Sequence, residues 1–275
     1  RASALKEMGG LPAHDAEDLL ITLLYRARGW QGIYLPEILA RGLTPVDWSG
    51  YLVQQRRWAR SVLDLKWRIY PAQFRHLPLR TRLITFGHGL NYVFKSLIVL
   101  SLLLAVGSML ALGTPRGLFS ADSGSKALML CSALLLCEFY RQRFYLDPPN
   151  EVGLHWRAVI LQMAKWPYHL CAIGDVLFGR REAYALTRKV KPKDRPYLLL
   201  SPHLAVVAFL GIAWMIGVLF GSVVDLPLQA IAFLIIAGSL LLILTERWEY
   251  PPPYTGTPRV MARRGVDRLP IRADL

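Results

Sequence analysis

Residues 51–61 read YLVQQRRWARS. On a helix, Gln54, Arg57 and Trp58 fall at i, i+3 and i+4, so their side chains leave from one face. That face offers an amide that donates and accepts, a permanently charged guanidinium, and an indole plane with one N–H donor. Sugars and phosphates are recognised by such a kit: polar groups for hydroxyls, an aromatic plane for the apolar side of a pyranose, a cation for a phosphate. Gln55 adjoins it in sequence. An amphipathic surface helix whose basic residues meet lipid headgroups would carry the same pattern.

A second candidate lies upstream, in Asp15-Ala16-Glu17-Asp18. Acidic residues suit a helix's first turn, where they complement the dipole. Leu19, Leu20, Leu23 and Leu24 continue an amphipathic repeat, and Gly29 is a natural stop. A carboxylate at the mouth of a sugar site is equally a general base, able to take a proton from an attacking hydroxyl. Spacing alone does not choose between these two readings of Glu17 and Asp18.

The elements that hold these residues belong to two regimes. Residues 1–50 suggest the end of an α/β domain: a short helix closed by Gly9-Gly10, the acidic helix, a strand over 30–36 and a loop. Beyond residue 86 the chain becomes apolar. The whole is 53% hydrophobic with a net charge of +14, a pairing typical of membrane proteins with one basic side. Nucleic-acid binding, the other reading of a basic chain, fits poorly, because the Lys and Arg residues flank apolar runs. Three cysteines, Cys131, Cys137 and Cys171, show neither disulfide nor metal spacing.

Residues 96–115 and 226–245 are uncharged runs of about 20 residues, enough to cross a ~30 Å hydrocarbon core. Residues 196–224 form a third run. A weaker fourth, 127–137, becomes a span only if its polar flanks are included. Eleven Lys or Arg lie in 141–195, which places that segment, the N-terminal region and the tail on the cytoplasmic side. Four crossings satisfy this arrangement. Residues 155–179 are apolar but broken by Arg157, Lys165, Pro167 and Asp175, as interfacial or re-entrant helices are.

The order of these pieces resembles the membrane-embedded family 2 glycosyltransferases, and among them the bacterial cellulose synthase catalytic subunits. Glu17-Asp18 with the following LLITLLYRARGW looks like their T-E-D motif and helix. Gln54-Gln55-Arg56-Arg57-Trp58 matches their Q-(Q/R)-x-R-W motif, and Tyr184-Ala185-Leu186-Thr187-Arg188-Lys189 is similar to the gating-loop motif F-x-V-T-x-K. Ala16 departs from the motif threonine, and Tyr184 and Leu186 replace Phe and Val.

The resemblance implies that Asp18 is the base toward the acceptor hydroxyl, with Glu17 beside it. It implies that Gln54, Gln55, Arg57 and Trp58 hold the acceptor and the donor diphosphate, and that Tyr184, Thr187 and Lys189 belong to a closing loop. It further implies a mixed fold: the C-terminal end of a GT-A α/β domain (1–50), interfacial helices (51–86), a membrane helix pair (87–143), interfacial helices with the gating-like loop (144–195), a second pair (196–247) and a basic tail (248–275). The expected protein is a multi-pass enzyme of the bacterial inner membrane, acting on its cytoplasmic side. Its expected partners are a nucleotide sugar, a glycan acceptor, the bilayer and a periplasmic export protein. A divalent cation, Mg2+ or Mn2+, would be held by residues upstream of this stretch, and the stretch alone would be inactive.

Overall fold

The computed structural model describes residues 2–33, 45, 47–115, 118, 120–144, 156–180 and 196–246. Among them, regular structure is helical throughout. Helix α1 (Ala2–Glu7) ends in Gly9 and Gly10, both at positive φ. Helix α2 (Glu17–Ala27) ends with Gly29 at φ 81, where the Trp30 amide reaches back to the Tyr25 carbonyl at 2.9 Å. That closure needs a left-handed residue, which glycine supplies without strain. Trp30–Ile33, the described part of the expected strand, has no strand partner among the described residues. A strand exists only where another pairs with it, and none stands among the described residues.

Helix α3 (Trp48–Asp64) is the hub. Its first three amides all donate to carboxylates: Trp48 and Ser49 to Glu246, at 2.9 and 3.3 Å, and Gly50 to Asp47 at 2.8 Å. These are the orphan donors of a helix start, at its positive end. The helix runs on through a π-turn (Leu65–Ile69), where the Tyr70 amide reaches the Leu65 carbonyl. Pro71 follows at the head of α4 (Tyr70–Gln73) and has no N–H to continue the ordinary ladder. Lys66 turns its ammonium to the carbonyls of Thr85, Phe86 and His88 and so closes the end of α5 (Leu79–Gly87).

Among the described residues, three helices are long and apolar enough to cross a membrane. The first contains α5 and α6 (Leu90–Leu112), and the others are α10 (Ser201–Leu219) and α11 (Leu226–Thr245). The fourth expected span does fold, as α7 (Ala121–Gln142), but it is not among the three. Asp122, Lys126, Glu138 and Arg141 lie along it, and charged side chains in hydrocarbon are costly. The first span also begins earlier than its uncharged run, taking in Lys95.

Small residues let α6 and α10 touch. A Cβ on Gly217 would strike the Leu110 carbonyl, and one on Gly107 would strike the Phe209 ring. Close backbone approach of this kind is how membrane helices associate where no hydrophobic drive exists between them. The α10–α11 turn is tied to the end of α6 by Thr114, whose amide donates to the Val223 carbonyl at 2.9 Å and whose hydroxyl accepts from the Asp225 amide at 3.0 Å.

Between these helices in sequence come α8 (Trp156–Ala164) and α9 (Trp166–Leu177), the helical reading of that broken apolar stretch. Helices α3 and α9 form a layer across one end of the membrane bundle. Leu52 of α3 joins Ala164, Tyr168, Leu200, Leu242 and Ile243 in one buried cluster. Gly89, at the head of α6, sits against Val62, and the Tyr168 hydroxyl donates to the Leu199 carbonyl at 2.8 Å.

Candidate functional site

At about 100° per residue, Leu52, Ala59 and Leu63 share one side of α3, and all three are fully buried. Gln54, Arg57 and Trp58 lie on the opposite side. Gln54 and Arg57 are half-buried, and Trp58 is 46% exposed. The helix therefore has a packing face and a presenting face. Gln55 belongs to the first, only 7% exposed. Its neighbour Arg56 makes a short ion pair with Asp175 of α9, Nη2 to Oδ2 at 2.7 Å, and the Asp175 side chain is 4% exposed.

Glu17 and Asp18 open α2 and are both exposed. Asp18 Oδ1 accepts from the Leu19 amide at 2.7 Å, and its carbonyl accepts from the Thr22 hydroxyl. Ala16 at the N-cap cannot offer the side-chain oxygen of a threonine. The His14 ring takes up its backbone amide instead, at 3.0 Å.

Two contacts that sequence reasoning missed join this turn to α3. Asp15 accepts from Arg60 at 2.7 Å, with both side chains largely buried, and His14 meets Asp64 at 3.3 Å. Asp15 stands three residues before Asp18, and Arg60 two after Trp58. The start of α2 is thus held against the helix that presents Gln54, Arg57 and Trp58. Asp15 was visible in the acidic run, but nothing in the sequence distinguishes a partner on α3 from a helix-dipole role.

A mostly apolar cavity of about 200 Å³ lies between α2, the end of α3 and α5, lined by Leu19, Thr22, Arg26, Val62, Lys66 and His88 among others. Burial lowers the Lys66 ammonium from its ordinary range. No cluster of three His, Cys, Asp or Glu side chains fit for a metal stands among the described residues. Tyr184, Thr187 and Lys189 fall outside the described residues.

A 95-residue stretch of the chain is 34% identical to an N-acetylglucosaminyltransferase of Sinorhizobium fredii, covering 34% of this chain and 22% of that protein. A 106-residue stretch is 34% identical to an N-acetylglucosaminyltransferase of Bradyrhizobium diazoefficiens, covering 38% and 19%. Over 52 residues it is 40% identical to one of Neorhizobium galegae, covering 19% and 12%. The matched stretch is therefore a fifth or less of these proteins, or little more. No protein-family model and no solved structure matches the chain.

Proposed function

We propose that this chain is the C-terminal portion of a membrane glycosyltransferase that moves a sugar from a nucleotide donor, UDP-linked, onto a growing β-linked glycan. The carrying observation is the presenting face of α3, Gln54, Arg57 and Trp58, with the Asp18-bearing turn held beside it through Asp15 and Arg60. The names of the three relatives support sugar transfer and make N-acetylglucosamine the first donor sugar to test.

In this reading the acceptor hydroxyl oxygen attacks the anomeric carbon, and its proton passes to Asp18. The bond from that carbon to the diphosphate breaks, and its electron pair leaves with the diphosphate. Arg57 stabilises the charge developing there, Trp58 stacks on the acceptor sugar, and Gln54 binds hydroxyls. Tyr184, Thr187 and Lys189 would close over the donor and exclude water. The nucleotide- and cation-binding half of the enzyme would precede residue 1, so residues 1–275 alone would turn over nothing. Turnover by that stretch would overturn this division of labour.

Repeated addition coupled to export, as in cellulose-synthase-like enzymes, is the processive form of the proposal. The apolar cavity begins at Leu19, next to Asp18, and this favours one second reading: single transfer to a lipid-linked or short acceptor.

The test is incorporation of labelled UDP-N-acetylglucosamine, UDP-glucose and UDP-glucuronate in membranes carrying the intact protein. One sugar is expected to enter product, and Asp18→Asn to lower its rate by about 10²–10⁴. Long chains support the processive form and short products the second reading. Equal incorporation by wild type and Asp18→Asn would remove catalysis from this chain.

A further inference from the structure

We propose that Lys95 and Lys165 form a binding site for the phosphate headgroup of an anionic membrane lipid, at the end of α6 that meets α3 and α9. The inference rests on the membrane helices and is independent of the reaction proposed above.

The two lysines are 70 residues apart in sequence, yet both ammoniums donate to one residue, Gln162. Lys95 reaches its backbone carbonyl at 3.4 Å and Lys165 its side-chain oxygen at 3.0 Å. Arg141 and Glu138 of α7 are also within electrostatic range of Lys95, so the cluster holds three cations against one carboxylate. Gathering like charges is unfavourable unless an anion joins them.

His169 packs in the same place, 5% exposed, edge-on to Tyr92 with ring centroids 4.8 Å apart. Neither of its ring nitrogens has a hydrogen-bond partner among the described residues. A buried polar ring left so is costly and awaits a partner. Burial, then the charges of Lys165 and Lys95, lower its pKa to about 4, so at neutral pH the ring keeps one N–H donor.

The surroundings name the ligand class. Lys165 lies over the Tyr51 ring, 5.3 Å from its centroid, which fixes a cation beside an aromatic surface. Phe94, Ile98 and Met163 flank the lysines and are each more than half exposed. A free phosphate has no use for that apolar flank, whereas acyl chains do. Basic pockets between helices at the membrane boundary take lipid headgroups for this combination of reasons.

The intact protein is titrated in neutral detergent with phosphatidylglycerol, phosphatidylcholine or inorganic phosphate, and bound lipid is counted by native mass spectrometry. Phosphatidylglycerol is expected to be retained and phosphatidylcholine not. The double variant Lys95→Gln with Lys165→Gln is expected to bind phosphatidylglycerol roughly thirty-fold more weakly, and Lys95→Gln alone roughly five-fold more weakly. Lys95 is exposed, so the single variant keeps the test informative if the double one misfolds. Lys126→Gln, the same charge change at an exposed site on α7, is expected to change nothing. Equal binding of the two lipids, or unchanged affinity in Lys95→Gln, would overturn the site. Full competition by inorganic phosphate at lipid-equivalent concentration would overturn the lipid assignment and leave a soluble anion as the ligand.

Discussion

Helices α3 and α7 make opposite use of their sequences. Helix α3 carries Gln54, Gln55, Arg56, Arg57 and Arg60, yet Leu52, Ala59 and Leu63 along it are fully buried and it is held at both ends. Helix α7 is the more apolar of the two, and Met129, Leu130, Leu134 and Leu136 on it are all more than 60% exposed. Apolar content decides burial only where water is the alternative. Next to lipid, an exposed leucine loses nothing. A polar helix is fixed by specific partners, and α3 has them on three sides: Asp175 of α9, Glu246 at the end of α11, and Asp15 before α2.

This contrast can be broken by substitution. Arg56→Ala would leave the Asp175 carboxylate buried without its closest cation, and a loss of about 3–5 kcal/mol is expected. A thermal scan of the detergent-solubilised protein would read it as a large fall in midpoint, and an unchanged midpoint would show that the α3–α9 seam does not depend on the pair. Next comes Leu52→Ala, which empties a fully buried site and is expected to cost about 2–5 kcal/mol. The same scan on Leu134→Ala, 61% exposed on α7, is expected to move by less than about 0.5 kcal/mol. Comparable losses at the two leucines would erase the distinction between the helices.

Glu246 gives a smaller, pH-dependent effect. Burial raises its carboxyl above the ordinary value of 4.5, and the Ser49 and Trp48 amides offset this only in part. The native state therefore binds the proton more tightly than the unfolded chain does. That contribution is fully present below the unfolded value and is lost as pH rises through the raised native one. Stability measured upward from pH 4.5 should carry this falling component, and Glu246→Gln should flatten it. An identical slope in the variant would mean that the carboxyl titrates as it does in water.

Much of this was legible in the sequence, for identifiable reasons. The last span matched residue for residue because nothing charged interrupts 226–245, and the helix of Gln54, Arg57 and Trp58 followed from spacing. Gly9, Gly10 and Gly29 marked helix ends because a left-handed closure needs a residue without Cβ. Composition also offered α7 as a span; two charges toward each end leave it a short apolar middle, so it falls outside the three long apolar helices among the described residues. The partners of α3 were not legible. Glu246 is 197 residues from Ser49, and Asp175 is 119 from Arg56. Side-chain periodicity reports which face of a helix is buried, never what it is buried against.

In the proposed mechanism, α3 sets its presenting face beside Asp18 through the Asp15–Arg60 pair. The direct test is a charge exchange in the intact protein, with sugar incorporation as the readout. Asp15→Arg and Arg60→Asp singly are each expected to lower incorporation by about tenfold or more, since each sets like charges together at a largely buried contact. The two combined are expected to restore most of it. Singles without effect, or a combined variant no better than either, would contradict the claim and separate the α2 turn from the α3 face.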